Sequence, residues 1–375
     1  MASFLYINIP FCIRKCIYCD FLSVPFDEAL ARRYTDAIIQ ELTLRKDLLD
    51  ELRSVYIGGG TPTTLPVTEY IRLFGFLKKQ IEISPDAEIT IEANPGTIND
   101  IQIKTLSDLG INRFSIGVQS FINRELQLLG RIHNSDNAVK AIDIIRSSGI
   151  RNLSIDLIYG IPGQSFDDWE VNLSRAAEIS PEHISAYELT PEKDTPLDEL
   201  ISQGTLEKPD EETIINMYFN TIDRLKKAGH RHYEISNYSK PGFECRHNLN
   251  YWNRGEYIGI GAGAHSFIRD RRIKNTHNIE QYIKSINDGT LAIDEDIEVS
   301  CEDALREFIF LGMRKTEGLN IKEFKEDLCL DLEPAAQELI TNGLLESSGG
   351  FLRLTRKGIV VSNAVITELM LKLSL

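Results

Sequence analysis

Cys12, Cys16 and Cys19 fall within eight residues, in the run Cys12-Ile-Arg-Lys-Cys16-Ile-Tyr-Cys19, directly after a strand-like segment. Cys245, Cys301 and Cys329 are scattered. A disulfide framework would spread its cysteines and carry a secretory context, so clustered thiols in a reducing compartment read first as metal ligands. A structural zinc site closes four ligands, usually as two Cys pairs, and no second pair exists in this chain. Three thiolates on one loop suit a 4Fe–4S cluster with one iron lacking a protein ligand. An open iron is useful only if something else must bind it. Zinc binding and chance clustering stand as the alternatives.

Other candidate residues lie near the ends of successive strand-like runs. Gly58-Gly59-Gly60-Thr61-Pro62 follows the second run, where backbone without side chains can approach a ligand and offer N–H and C=O groups. Glu92 closes the third, Gln119 the fourth, and Asp156 lies in the fifth. Singly, each reads as a hydrogen-bonded structural residue; converging on one barrel mouth, they could hold a ribose and an adenine. Arg131 could bind a carboxylate or stand as a surface charge. In His247-Asn-Leu-Asn-Tyr251-Trp252, imidazole is a common axial ligand of heme iron, and the two aromatic rings could stack on a flat macrocycle. The plainer reading is a rim segment whose Tyr and Trp only pack. Cys245 is an alternative soft ligand, and His265 is a second candidate or a structural turn residue. Arg269, Arg271, Arg272 and Lys274 could pair with propionates or form a solvated strip.

The elements that position these residues alternate. Strand patterns at Phe4–Ile9, Ser54–Ile57, Glu88–Glu92, Arg113–Gln119, Leu153–Tyr159 and His183–Leu189 are separated by helical apolar spacing at Asp27–Arg45, Tyr70–Ile81, Ile101–Leu109, Asn137–Ser147 and Phe166–Ile179. Pro66 and Asp167 supply helix starts, and Gly110, Gly149 and Gly229 supply stops. Repeats of about 30 residues imply right-handed βαβ crossovers and a parallel α/β sheet, doubly wound or a full or partial β/α barrel. The unusual residues sit at the C-terminal ends of the strands, which favours the barrel. The expected organisation is a partial β/α barrel over 1–270, a linker over 271–300, and a small C-terminal domain over 301–375. That domain reads as helices near Leu305–Arg314, Ile321–Asp327 and Pro334–Asn342, a Gly349-Gly350 hairpin turn into Phe351–Thr355, and a last helix from about Lys357, which together are winged-helix-like.

Composition excludes other classes. The chain has 375 residues, is 42% hydrophobic and 26% charged, and carries 41 Lys+Arg against 56 Asp+Glu, a net charge of −15. Disorder, collagen and coiled coil are out. An acidic protein repels bulk nucleic acid, and residues 301–375 hold nine basic against twelve acidic residues, so DNA is not the expected ligand of the winged helix. No apolar run approaches the roughly 18–20 residues that span a bilayer, and no secretory signal precedes Cys12, so the expected location is the cytoplasm.

The runs Tyr6-Ile-Asn-Ile-Pro-Phe-Cys12, the cysteine loop, Gly58–Thr63, Glu92-Ala-Asn-Pro, Gly117–Phe121, Leu129–His133, Asp156–Pro162 and His183–Thr190 together resemble the oxygen-independent coproporphyrinogen III oxidase superfamily of radical S-adenosylmethionine (SAM) proteins, and within it the HemW-type heme chaperone branch. The resemblance spans nearly the whole chain. It implies a 4Fe–4S cluster on Cys12, Cys16 and Cys19, with the amino and carboxylate groups of SAM on the open iron. It further implies SAM contacts from Tyr6, Tyr18, Gly59, Gly60, Thr61, Glu92, Gln119, Arg131 and Asp156. Heme would be cargo, held through His247, Tyr251 and Trp252 and passed to client hemoproteins, respiratory ones at a membrane to which the protein would associate peripherally. The alternative it implies is the oxidase reaction itself, SAM-dependent radical decarboxylation of propionates to vinyls. Phe21 stands where the oxidase resembles a further cysteine, only eleven residues precede Cys12, and the HNxxYW run is present; all three favour the chaperone branch. One departure is Asn8, which occupies the usual position of a His; an amide can donate a hydrogen bond but cannot titrate.

Overall fold

A computed structural model of the chain describes residues 1–322, 324, 332–373 and 375. The main sheet has nine strands: β1 (Ala2–Ile9), β2 (Leu49–Gly59), β3 (Ile83–Ala93), β4 (Arg113–Gln119), β5 (Asn152–Tyr159), β6 (His183–Glu188), β7 (Arg231–Glu234), β8 (Asn237–Ser239) and β9 (Ile258–Ile260). Their spatial order is β9-β1-β2-β3-β4-β5-β6-β8-β7. All neighbours from β9 through β6 are parallel, and β8 and β7 add an antiparallel hairpin at the far edge. The two edges, β9 and β7, do not pair, so the barrel is partial.

Period-two alternation decides what each face does. Leu5, Ile7 and Ile9, Val55 and Ile57, Ile89 and Ile91, Phe114, Ile116 and Val118, and Leu153, Ile155 and Leu157 point outward and form the main core with the surrounding helices. The alternate residues are Tyr6 and Asn8, Ser54, Tyr56 and Gly58, Glu88, Thr90 and Glu92, Arg113, Ser115 and Gly117, Ser154 and Asp156, and His183 and Ser185. They face inward and are small, polar or aromatic. The core therefore lies outside the strands, and the inside is left for chemistry.

The crossover helices Glu28–Arg45, Val67–Gln80, Asp100–Asp108, Ser135–Ser147 and Phe166–Ile179 match the helical patterns to within a few residues. Pro66 is an N-cap, but Ser165 rather than Asp167 starts the fifth of these helices, in a capping box with Asp168. Gly110, Gly149 and Gly229 follow helix ends with positive φ, the left-handed conformation that glycine adopts freely.

Residues 271–300 do not form the expected linker. Arg271–Asn275 and Ile293–Glu298 pair with His265–Ile268 in a three-stranded antiparallel sheet. The helix Ile279–Asn287 between them buries Ile279, Tyr282, Ile283 and Ile286 in the main core against Glu28–Arg45. The opposing charges that read as a solvated linker are cross-strand pairs: Arg271 Nε to Asp296 Oδ1 at 2.8 Å and Lys274 Nζ to Glu295 Oε1 at 2.7 Å. Beyond them, Cys301–Gly312, Leu332–Thr341 and Ser362–Lys372 surround a small three-stranded sheet whose hairpin turns at Gly349-Gly350, with a separate core centred on Ile309, Phe324, Leu339 and Leu369. This is the winged-helix-like arrangement. The helix expected over Ile321–Asp327 and the position of Cys329 lie largely outside the described residues.

A buried ionic network joins the closing strand to the first helix. Glu41 accepts from Arg45 Nε (2.9 Å), Asn275 Nδ2 (2.8 Å), the Gly261 amide (2.9 Å) and Tyr282 OH (2.7 Å). Breaking one side of a buried pair leaves an uncompensated charge and costs about 3–5 kcal/mol. Glu41→Ala is expected to lower unfolding free energy by that amount in urea denaturation, and Glu41→Gln by less.

Candidate functional site

The cysteine loop is built as a closed bight at the C-terminal end of β1. Phe11–Cys12 pairs with Val24–Pro25, and the amides of Val24 and Phe26 donate to Pro10 O (2.8 Å) and Cys12 O (2.9 Å), which cinches the loop at its base. Ile17 is fixed from both sides: its amide donates to Leu129 O (3.3 Å) and its carbonyl accepts from Leu197 N (2.9 Å). Its side chain, with that of Tyr18, packs against Leu129, Ile158, Leu189 and Leu197. Arg14 donates to Gly130 O. The loop thus reaches the ends of β4, β5 and β6 before any ligand is present.

Cys12, Cys16 and Cys19 are free, half-buried, and line one cavity of about 470 Å³. Among the described residues, no three His, Cys, Asp or Glu side chains stand close enough to hold a single metal ion. In a 4Fe–4S cluster each thiolate ligates a different iron, so the sulfurs stand well apart. Three thiols of one loop around open space suit that donor set.

The other walls fit a polar ligand beside those thiols. Gly59 has φ of +114°, and a Cβ on Gly60 would meet Phe11 O at 2.8 Å and Cys12 Sγ at 3.1 Å, so only glycine lets β2 lie against the cysteine loop. Thr61 Oγ1 is 3.5 Å from Cys12 Sγ. Arg131 donates to Gly117 O at 2.7 Å, reaches Cys16 Sγ and Tyr18 OH at 3.5 Å each, and keeps a buried Nε with no partner, as a site awaiting a carboxylate would. Gln119 takes φ of +67° where the β4–β5 register shifts, a strained turn that aims its side chain over Gly117.

Two buried carboxyls complete the cavity. Glu92 accepts from Tyr56 OH at 2.9 Å and from the Gly59 amide at 3.3 Å; burial, helped by the nearby Asp156 charge, pushes its pKa up to about 7. Asp156 accepts from Ser115 Oγ at 3.1 Å, and burial raises it as well. Both can receive hydrogen bonds from a ligand's hydroxyls in a place where water would otherwise compete poorly.

Eight of the nine expected SAM residues, Tyr18, Gly59, Gly60, Thr61, Glu92, Gln119, Arg131 and Asp156, line this cavity with the three cysteines. Tyr6 does not. Its ring stacks on Tyr56, with centroids 6.1 Å apart, and it is Tyr56 that forms the wall. Asn8 is buried and anchors the closing loop by donating to Ala262 O at 2.7 Å, while Phe21 is 65% exposed at the cavity mouth. Arg113, Tyr56, His183, Tyr187, Cys245 and Asn248 also line the cavity and were not assigned to it from sequence. The signal was available for Arg113: it shares the inward alternation of Ser115 and Gly117.

The expected heme residues lie elsewhere. His247 sits on the short helix Arg246–Trp252, is 1% exposed, and has both ring nitrogens engaged: Nδ1 with Ser54 Oγ at 2.9 Å and Nε2 with Tyr251 OH at 2.8 Å. Burial drives its pKa down to about 3, so the ring is neutral. With both nitrogens occupied, Nε2 reaches iron only if the Tyr251 bond is exchanged. Tyr251 packs edge-on against Tyr257, and Trp252 lies under the Arg314 guanidinium. Cys245 is buried and its thiol is pushed up to about 12 by burial and the Glu88 charge, which keeps it protonated. His265 is exposed outside the cavity, and Arg271, Arg272 and Lys274 are all ion-paired.

The chain matches the radical SAM superfamily over residues 6–176 and the HemN C-terminal domain over residues 299–361. It is 34% identical over 370 residues to the heme chaperone HemW of Lactococcus lactis, covering 98% of this chain and 97% of that protein. It is 34% identical to the heme chaperone HemW of Bacillus subtilis (96% and 97%) and 35% identical to that of Escherichia coli (96% and 96%). The solved structure of the Escherichia coli coproporphyrinogen III oxidase HemN, a radical SAM enzyme, superposes with a TM-score of 0.85 at 23% identity, covering 98% of this chain and 90% of that one; the likeness establishes the fold.

The raised carboxyl of Glu92 has a measurable consequence. A group that holds its proton more tightly folded than unfolded makes the folded state lose stability as pH climbs from about 4.5 to about 7, with a plateau above. That loss reaches about 3 kcal/mol. Urea denaturation of cofactor-free protein is expected to show Glu92→Gln gaining stability relative to the parent by about this amount between pH 5 and pH 8. A difference that does not change with pH contradicts a buried, titrating Glu92.

Proposed function

The chain belongs to the HemW family, and from that premise we propose that it is a heme chaperone, binding heme and passing it to client hemoproteins on a radical SAM scaffold that carries a 4Fe–4S cluster and SAM. The observation that carries the reading is the convergence of three half-buried thiols from one loop with Gly59–Thr61, Arg131 and two buried carboxyls around one cavity, in a chain similar along its whole length to proteins named heme chaperone HemW.

Cys12, Cys16 and Cys19 would ligate three irons. The Arg131 guanidinium, with its unpartnered Nε, would hold the SAM carboxylate beside the fourth iron. Glu92 and Asp156 would accept from the ribose hydroxyls, and Gln119, Tyr18 and the Gly59–Thr61 backbone would fix the remaining polar edges. The bound cluster would supply an electron to the sulfonium, should SAM be cleaved. The residues around it hold SAM and restrict water, and they do so without assigning cleavage to the heme-carrying role.

Heme would use His247 as axial ligand after the Tyr251 hydroxyl gives up Nε2. The neutral imidazole is already in the form that binds iron, and Tyr251 and Trp252 would then be freed to flank the macrocycle. Clients would be respiratory hemoproteins, met by a cytoplasmic protein with peripheral membrane association; among the described residues no helix is long and apolar enough to cross a membrane. The oxidase reading is the weaker one. Phe21 offers no thiol, and Asn8 is committed to Ala262 O and cannot move a proton.

Cys16→Ala is expected to lose most iron and the cluster absorbance after anaerobic reconstitution; full iron content would contradict the ligand assignment. His247→Ala is expected to weaken hemin binding and shift its Soret band. An unchanged band and affinity would remove His247 as ligand while leaving the cluster assignment untouched.

A further inference from the structure

A β/α barrel is ordinarily filled by stacked layers of bulky branched side chains. Here the inward positions of β4 to β6 include the small residues Ser115, Gly117, Ser154 and Ser185, and the cavity continues past the cysteine loop down to Arg113 and His183, the first residues of their strands. That lower chamber lies beyond the thiols, Arg131 and the glycine turn.

Arg113 is 2% exposed, yet among the described residues no carboxylate stands within 4.0 Å of it. Its Nη1 donates only to neutral oxygens, Asn152 Oδ1 at 2.9 Å and Phe243 O at 3.3 Å, and its Nε has no partner. Arg45, also fully buried, shows how this fold treats a structural arginine: it is paired with Glu41 at 2.9 Å and with Asn275 at 2.9 Å. Glu88 and Asp156 act on Arg113 through space, but their hydrogen bonds go to other groups. Glu88 Oε1 takes the His247 amide at 3.3 Å and lies 3.6 Å from Cys245 Sγ, and Asp156 takes Ser115. The other walls of the chamber are neutral: His183, bonded to Ser154 and Tyr233 through its two ring nitrogens, the Cys245 thiol, and Asn248. A buried guanidinium whose acids act only at a distance, and whose Nε has no partner, is completed by an anion that contacts it directly.

We propose that the floor of this cavity is a carboxylate site in which Arg113, with Asn248 lining the same cavity, binds either a free small organic acid or the carboxylate arm of a larger ligand entering from the mouth. The site needs neither cluster nor SAM. Only its second source, a propionate arm of heme, rests on the heme-carrying reading.

The test uses full-length, anaerobically reconstituted protein titrated with carbon-13-labelled acetate and propanoate, followed by line broadening of the carboxylate signal. Saturable broadening is expected in the parent, weakened about tenfold or more by Arg113→Gln, retained in Arg113→Lys and retained in Arg131→Gln. Should Arg113→Gln fail to fold, Asn248→Phe, which fills the chamber and keeps the arginine, is expected to give the same loss. No saturable binding by the parent, unchanged binding in both Arg113→Gln and Asn248→Phe, or loss in Arg131→Gln instead overturns the proposal. Hemin and its dimethyl ester separate the sources: a preference for the free acid that Arg113→Gln erases assigns the site to a heme arm, and acetate binding without that preference assigns it to a free small acid.

Discussion

A barrel lined by serines, glycines and acids cannot be held up from within, and the rest of this structure follows from that constraint. The apolar core lies on the outer face of the strands, between them and the helices, where Ile and Leu alternate with the inward polar set. Closure is handled at one seam. Glu41 and Arg45 reach from the first helix to Asn275, Tyr282 and the Gly261 amide, and Asn8 reaches Ala262, so these hydrogen bonds add to the packing of Ile258 and Ile260 in holding the short strand β9 beside β1. The cysteine loop hangs from that seam. The polar network holds the strand from which the loop springs, and the loop's own base pairing and the packing of Ile17 and Tyr18 hold the rest.

The hollow interior also explains the spread of charge states around the cavity. Burial raises Glu92 and Asp156 and lowers His183 and His247, each shift running against the charged form. Arg113 and Arg131 are the exceptions, because a guanidinium does not deprotonate. Each retains a buried Nε with no partner, one near the thiols and one on the floor. Besides the exposed Arg14 and Lys15, the cavity thus holds two buried guanidinium groups at different depths.

Much of the site was legible in the sequence because it is local. The cysteine spacing, the glycine triplet and the acids at strand ends are short-range signals, and the six strand patterns put them at the C-terminal ends of successive strands. What was not legible depends on pairing between distant segments. β9 is only three residues long and is a strand because β1 offers it an edge, and the β7–β8 hairpin is equally short. The charged stretch from Arg271 read as a solvated linker because each charge was weighed without its cross-strand partner. Ile279, Tyr282, Ile283 and Ile286 carried a helical period through it that could have been found. The surroundings of His247 were not legible for a related reason: the partner of its Nδ1 is Ser54, 193 residues away in the chain.

Heme carriage is tested most directly by loading the reconstituted protein with hemin, mixing it anaerobically with a heme-depleted respiratory hemoprotein, and timing the recovery of that client's own Soret spectrum. The account predicts recovery in step with loss of heme from the donor, faster than from an unrelated hemin-binding protein at equal affinity. Recovery no faster than that control, in a sample that also converts coproporphyrinogen III to protoporphyrinogen with release of 5′-deoxyadenosine, would contradict it and make the chain an oxidase.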